Sequence, residues 1–439
     1  MQRTSAHTII IAATLVVALL LRLAAGAWWQ SRLAQGQRFQ FGDSESYWVL
    51  AQTIVRGEPY EYGEGMRVFR TPGYPVLLAG LFFLVGDDPS VMWARALSAA
   101  LGTLSVGGVM WMAGQLFDAR TSLTAGVMST LYPGAIGAST FVLSEAPFCP
   151  LMLLQLICWA AAIRAARGWR RILWAGLGGL AAGGATLVRP SWLAFTPFAA
   201  LIATLACRER RRHAWLGLTM MAALVVAMLP WWIRNYRITG KPILTTLQVG
   251  ASLYDGLNPR ATGASDFWFV GPFRREQERA DAADPATKVG TFEYRLDQRM
   301  RRAAIAWARE NWPRSMQLVW IKLARMWSPW PHAADMQSWT FRLVMSVGYV
   351  PVVLLGGLGA VIFWRRGWPY VLCLLPGAYL TLLHVIFVSS IRYREPAMLA
   401  VIVLAAGAVT QGWRANPLGD QEEATELPRN HRSASAHAS

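Results

Sequence analysis

Residues 72–85 read PGYPVLLAGLFFLV. The run is wholly apolar but only about 14 residues long, short for a crossing of about 30 Å of hydrocarbon and suited to an interfacial or re-entrant piece. Its reading decides the fold. If it spanned with the N-terminus inside, every positively charged cluster downstream would change sides, so it is placed at the outer interface.

Working outward, ten other apolar runs are long enough to span: about 8–28, 91–116, 120–140, 147–165, 172–188, 191–207, 214–233, 340–363, 368–388 and 397–413. With the N-terminus cytoplasmic, the even-numbered helices end inside. Their exits are Asp118-Ala119-Arg120, Arg164 to Arg171, Arg208-Glu209-Arg210-Arg211-Arg212, Arg365-Arg366 and Arg414. All five carry Arg, as the positive-inside pattern requires. The expected fold is therefore all-α and integral to the membrane, with about ten transmembrane helices.

The bulk numbers agree. Of 439 residues 54% are hydrophobic and only 15% charged, a balance that excludes an ordinary soluble protein. Mean hydropathy is +0.30. The net charge of +17 is spread over short clusters between apolar runs, which argues against nucleic acid as a partner. Cys149, Cys158, Cys207 and Cys373 lie in or beside apolar segments, so buried packing is expected of them. A cleaved leader is the competing reading of the first run, with Ala25-Gly26-Ala27 as the cut. The run is long for that, and Arg22 would sit just before the cleavage.

The organisation that follows is a transmembrane core over 1–233 holding an outer loop at 29–90. An outer, periplasmic loop spans 234–339. C-terminal transmembrane helices occupy 340–413, and a disordered cytoplasmic tail 414–439. Within 287–327 two helices broken at Trp312-Pro313 are expected. Leu296, Met300, Ala303, Ala304 and Trp307 recur at helical spacing there, with Arg295, Arg299, Arg302 and Arg309 placed to reach headgroups, so an interfacial amphipathic helix is expected. Gly179-Leu180-Ala181-Ala182-Gly183 offers a small-residue face for close helix approach.

Chemistry concentrates outside. Phe41-Gly42-Asp43-Ser44-Glu45-Ser46-Tyr47-Trp48 opens the first loop, and a helical pattern follows to Arg56-Gly57. Asp43 is either the N-cap of that helix or a base held at the membrane surface; the two roles are compatible. Arg70-Thr71-Pro72-Gly73-Tyr74-Pro75 is a rigid turn whose Arg70 either snorkels to a headgroup or binds substrate. Arg22, Arg95, Arg189, Arg392 and Arg394 sit near outer helix ends, with His384 one or two turns deeper, where positive-inside provides no reason for them. Singly each reads as structural. As a set they make an anion site, because guanidinium grips phosphate bidentately, and Glu145 in Leu143-Ser144-Glu145 is the acid on the same side.

At these residues the chain resembles the C-type membrane glycosyltransferases. Among them it is most similar to bacterial members of the dolichyl-phosphate-mannose protein mannosyltransferase-like group, which includes lipid A aminoarabinose transferase. The likeness runs from about 38 to 400. It rests on Asp43 with Tyr47, Arg70 to Pro75, Leu143-Ser144-Glu145, Leu187-Val188-Arg189-Pro190, Pro230-Trp231-Trp232-Ile233-Arg234-Asn235 and Arg392-Tyr393-Arg394-Glu395-Pro396. The resemblance implies a juxtamembrane helix pair at 44–56 and 73–86, a polyprenyl-phosphate-linked sugar donor, and inverting transfer on the non-cytoplasmic face. It also implies that the outer-loop acid, falling on Asp43, is the base. Many relatives carry an Asp-Glu doublet; here Ser44 separates Asp43 from Glu45, so which carboxylate works is open.

The expected protein is a multi-pass glycosyltransferase of a bacterial cytoplasmic (inner) membrane, with both termini cytoplasmic and its active site facing the periplasm. Asp43 and Glu145 are the catalytic candidates and Glu45 the secondary acid. Arg70, Tyr74, Arg95, Arg189, His384, Arg392, Tyr393 and Arg394 are candidates for donor phosphate or substrate. The partners are a polyprenyl-phosphate sugar, membrane lipids, and an acceptor glycan, lipid or protein hydroxyl. No cofactor is required by the residues, though a divalent cation is compatible with them. A transporter or flippase of a lipid-linked or anionic substrate is the alternative, weakened by the lack of internal repeats and of charge at the midplane. A non-catalytic scaffold is the third reading.

Overall fold

The computed structural model describes residues 2–284, 288–333 and 336–411. The tail expected at 414–439 lies outside them. Among the described residues the chain is helical throughout, with no strand. The first five helices are α1 (Gln2–Gln30), α2 (Gly42–Val55), α3 (Gly73–Val85), α4 (Val91–Leu116) and α5 (Ala119–Leu131). They are followed by α6 (Pro133–Thr140), α7 (Glu145–Arg164), α8 (Gly168–Val188), α9 (Phe195–Ala206) and α10 (Arg210–Thr239). The long loop contains α11 (Val249–Gly256), α12 (Val270–Ala283), α13 (Phe292–Glu310) and α14 (Trp312–Met326). The chain then closes with α15 (Trp339–Phe363), α16 (Trp368–Leu372), α17 (Leu375–His384) and α18 (Glu395–Gln411).

Among the described residues six helices are long and apolar enough to cross a membrane by length and composition: His7–Gln30, Val91–Leu116, Glu145–Arg164, Gly168–Val188, Arg210–Thr239 and Trp339–Arg366. Among the described residues each expected span falls largely on helix; 191–207 opens on a 3-10 turn before α9, and two others are broken. The stretch 120–140 divides at Tyr132, where Pro133 opens α6. The stretch 368–388 divides between α16 and α17, with Pro376 in the first turn of α17. Proline cannot donate the helical hydrogen bond and clashes with the preceding turn, so it begins a helix more easily than it continues one.

Helix α8 packs on α10 through the small-residue face. A Cβ on Gly179 would lie 2.2 Å from the Met220 carbonyl oxygen, and one on Gly183 would lie 2.4 Å from the Ala227 Cβ. Helix α1 joins the bundle beside α4 and α5, where Arg22 Nη2 donates to the Ser129 carbonyl at 3.2 Å. The cysteines are free, three buried and Cys207 half-buried.

The bundle has two distinct ends. At one, Tyr370 Oη donates to the Leu116 carbonyl at 2.7 Å, Gln411 Nε2 to Asp118 at 3.3 Å, and Arg164 to the Gln115 carbonyl. The Arg clusters that follow α7, α9 and α15 gather there. The opposite end carries α2, α3 and the long loop.

Helix α2 forms because Tyr47, Leu50 and Ala51 fall on one buried face, Asp43 and Glu45 complement the dipole of its first turn, and Gly57 (φ +68°) stops it. Helix α3 lies against α2. At 13 residues it is about 20 Å long, too short to cross. Its exposed Val76, Leu77, Phe83 and Leu84 leave an apolar outer face, and Asp87 and Asp88 just beyond it bond Arg56 and Arg38 of the α2 side. Gly73 lets α3 start against the end of α8, since a Cβ there would lie 2.6 Å from the Leu187 carbonyl carbon. Arg70 stands three residues before Gly73, and Arg189 two residues after Leu187.

In the long loop the break between α13 and α14 falls at Asn311, next to the expected Trp312-Pro313, which instead open α14. Leu296, Met300 and Ala304 are buried. Arg295 and Arg299 differ from expectation: they bond Asp281 (2.6 Å) and Gln277 (2.7 Å) of α12 rather than reaching outward, because α12 presents its polar face to them.

Candidate active site

Five charged side chains from five separate segments form one alternating chain. Arg70 Nη2 meets Asp43 Oδ1 at 2.6 Å, and Arg392 Nη2 meets Asp43 Oδ2 at 3.0 Å. Arg392 Nε then meets Glu145 Oε1 at 2.6 Å, and Arg189 Nη1 reaches that same oxygen at 2.9 Å. The order is Arg70, Asp43, Arg392, Glu145, Arg189, three cations to two anions. Asp43 remains 34% exposed while Glu145 is fully buried, so the chain runs from an open end to a closed one.

Local sequence explains each placement. Glu145 stands in the first turn of α7, where a helix N-terminus favours a carboxylate. Arg189 ends α8, with Pro190 preventing continuation. Arg392 lies on a single 3-10 turn, Ile391–Tyr393, just before α18. The Asp43 carboxylate does not cap α2: the N-cap is Phe41 without a side-chain bond, and both Asp43 oxygens go to guanidiniums. Burial works against the charge on Asp43, but Arg70 and Arg392 outweigh it and hold the carboxyl well below the usual range. Burial likewise opposes the charge on Arg392, and Glu145, Tyr393 and Asp43 more than offset it.

Aromatic rings surround the Arg residues. The Arg189 and Arg392 guanidiniums lie 5.3 and 5.4 Å from the Tyr393 ring centre, and Arg392 lies 5.5 Å from Phe41. His384 stacks on Tyr393 at 4.1 Å, with Nδ1 2.9 Å from the Val388 carbonyl and a buried Nε2 that has no protein partner. Behind Glu145 a cavity of about 10 Å³, room for about one water, is lined by Gly102, Ser139, Cys149 and Glu395 among others.

The structure thus brings together Asp43, Arg70, Glu145, Arg189, Arg392, Tyr393 and His384. Four other candidates stand apart. Tyr74 is buried against Tyr47, its hydroxyl 3.5 Å from Ser98. Arg95 bonds the Thr140 carbonyl (2.6 Å) and Gln30 (3.0 Å). Arg394 is fully buried, donating to the Met326 and Ser328 carbonyls at 2.7 and 2.6 Å, which ties α18 to the end of the long loop. Glu45 is exposed and outside the chain of charges. Sequence reasoning passed over Gln248, whose Oε1 accepts from Arg70 Nη1 at 3.0 Å, and Ser46, whose Oγ accepts from Arg70 Nε at 3.1 Å. Nothing in the loop around Gln248 marks it, whereas Ser46 follows Asp43 by three residues on a helix and could have been read as sharing its face.

Residues 70–232 match the model of the Dolichyl-phosphate-mannose-protein mannosyltransferase family, a stretch that includes Arg70, Glu145 and Arg189 but neither Asp43 nor Arg392. No curated protein matches the chain. Among solved structures, the oligosaccharyltransferase of Archaeoglobus fulgidus in the apo form superimposes with a TM-score of 0.54 at 15% identity, covering 97% of this chain and 53% of that one. The oligosaccharyltransferase AglB from Archaeoglobus fulgidus, in complex with an inhibitory peptide and a dolichol-phosphate, gives 0.56 at 14% identity, covering 98% and 53%. ArnT from Cupriavidus metallidurans bound to undecaprenyl phosphate gives 0.43 at 16% identity, covering 97% and 82%. The chain spans about half the length of the oligosaccharyltransferase it matches. It carries the fold of the C-type membrane glycosyltransferases, with the Dolichyl-phosphate-mannose-protein mannosyltransferase signature over residues 70–232.

Proposed function

We propose that this protein transfers a sugar from a polyprenyl-phosphate-linked donor to a hydroxyl acceptor at the outer face of a bacterial cytoplasmic membrane, with inversion. The observation that carries the reading is the alternating chain from Arg70 to Arg189. Arg392 and Arg189 share one buried carboxylate oxygen of Glu145, which holds the two guanidiniums side by side as a pair that suits the oxygens of a lipid phosphate. Asp43 is the working carboxylate, since it makes two ion pairs of the site while the exposed Glu45 makes none of them.

The chemistry follows from these positions. The donor phosphate binds Arg189 and Arg392, drawing Arg392 off Asp43. With one cation removed, Asp43 regains basicity. The acceptor oxygen attacks the anomeric carbon from the face opposite the phosphate, its proton passes to Asp43, and the carbon–oxygen bond to the phosphate breaks. The electron pair stays on the phosphate oxygen, where Arg189 and Arg392 stabilise the charge. The preceding binding step makes this base available only when donor is present. Glu145 holds the two Arg residues in place rather than taking the proton, because it is fully enclosed.

A divalent cation fits this donor set poorly. Among the described residues no three His, Cys, Asp or Glu gather as ligands, and the two acids of the site face three guanidiniums. The counter-charge for phosphate is assigned to Arg instead. Purified protein incubated with polyprenyl-phosphate sugars and candidate acceptors, with and without chelator, tests both points. Transfer that survives chelation and is lost in Asp43→Asn supports the reading. Movement of the lipid-linked sugar across vesicles without transfer would favour a flippase.

A further inference from the structure

Helix α13 carries two buried acids one turn apart, Glu293 and Asp297, and neither belongs to the chain of charges. Each carboxylate binds a backbone N–H of a segment leading to the site. Val68 N–H donates to Glu293 at 3.0 Å, and Gly250 N–H donates to Asp297 Oδ1 at 2.5 Å. Arg301 holds the other Asp297 oxygen at 2.8 Å.

Val68 precedes Arg70 by two residues, and Gly250 follows Gln248 by two. The two segments also bond each other: Leu247 N–H donates to the Val68 carbonyl at 2.9 Å, and Arg70 Nη1 donates to Gln248 Oε1 at 3.0 Å. Gly250 lies so close to α13 that a Cβ there would be 2.0 Å from the Asp297 carbonyl oxygen. Arg234 of α10 adds a second hold on the same loop, donating to the Arg67 and Tyr60 carbonyls at 3.1 Å each. A buried carboxylate costs far more than an apolar side chain that would pack equally well. Two of them aimed at two specific amides therefore serve placement.

We propose that Glu293 and Asp297 are positioning residues for the acceptor side of the site, holding Arg70 and Gln248 in register against Asp43. The inference rests on the transferase reading given above. It makes the long loop a working part of the site: the phosphate side (Arg189, Arg392) is built by the end of α8 and the turn before α18, and the acceptor side is held by α13.

Glu293→Leu and Asp297→Leu test this, since each keeps the bulk of the side chain and removes the oxygens that hold the two amides, with Glu293→Gln and Asp297→Asn, which keep an acceptor oxygen, as controls for folding. Amide hydrogen exchange of the full protein, read at 66–70 and 248–252, should quicken by about tenfold or more in the two Leu variants. The acceptor KM should rise by about tenfold, while the affinity for polyprenyl phosphate stays at the wild-type value. Faster exchange with an unchanged acceptor KM, or an equal loss of polyprenyl phosphate affinity, would reduce both acids to structural supports. Unchanged exchange overturns the clamp itself. If the wild type binds polyprenyl phosphate but transfers nothing, the transferase reading fails, and the clamp is then judged on exchange alone.

Discussion

Arg392 donates to Asp43 at 3.0 Å across 349 residues of sequence. The contact joins α2 to the turn that enters α18, and Arg392 continues from it to the buried Glu145. On the proposed function the buried contact holds the fold together and the more exposed one is released to the donor.

Removing Arg392 therefore has a divided effect. Arg392→Gln should destabilise by about 3 kcal/mol, because Glu145 is left buried beside a single Arg. Glu145→Gln in the same chain should recover only part of that, because it takes the carboxylate from the buried Arg189, and should not recover transfer. Thermal unfolding in detergent and a donor-binding measurement on the two single variants and the double variant read the coupling.

Asp43→Asn should lower transfer by about 10²- to 10⁴-fold while leaving polyprenyl phosphate bound. The sign of its pH dependence is fixed by the two Arg partners. A carboxyl held below its ordinary value contributes stability above its unfolded pKa and loses it only as pH falls through the lower folded value. The pH profile of kcat/KM for the free enzyme should show no Asp43 inflection between about pH 4 and 8. One near pH 6 would mean that the Arg70 and Arg392 contacts do not hold in solution.

Glu293 behaves in the opposite sense. Burial, with help from Asp297, raises it to about 7 against the pull of the Val68 and Arg67 amides and the Arg234 charge. An acid whose folded value is raised binds its proton more tightly in the native state, so stability falls as pH rises from its unfolded value through about 7. That decline, about 3 kcal/mol at most, should vanish in Glu293→Gln when unfolding is compared from about pH 4.5 to 7.5.

Helix α8 makes a control for packing alone. Gly179→Leu would force apart α8 and α10 and should abolish folded protein, as judged by size-exclusion behaviour. Gly176→Ala, on the same helix with open space around it, should fold and transfer normally. Loss of both would show that α8 tolerates no added side chain for reasons other than contact with α10.

Orientation is read by labelling. Ser265 is exposed at the end of the bundle that carries the long loop, and Arg208 at the other. A membrane-impermeant maleimide should reach Ser265→Cys in intact cells and Arg208→Cys only after permeabilisation. The reverse pattern would turn the site to the cytoplasm.

Much of the molecule follows from the chain read in order. Apolar length sets the spans, Arg at alternate exits sets their alternation, and 14 apolar residues at 72–85 are too few to cross. These are local properties, and the helices fall where they predict, except where Pro133 and Pro376 break two of them. Site membership is different. Asp43, Glu145, Arg189 and Arg392 stood out because charge at a helix end in lipid demands a reason, yet Arg95 and Arg394 stood out equally and turned out to satisfy backbone carbonyls. No local signal separates the two groups, since a guanidinium bound to a carbonyl and one bound to a carboxylate look alike in sequence. Gln248, Glu293 and Asp297 were silent for the same reason. Their partners lie 47 to 225 residues away and are in part backbone atoms, which every residue possesses. The sequence alone determined that charge would collect at one face; only the packing of α3 on α8 and of α13 on the segments at Val68 and Gly250 decided which charges meet.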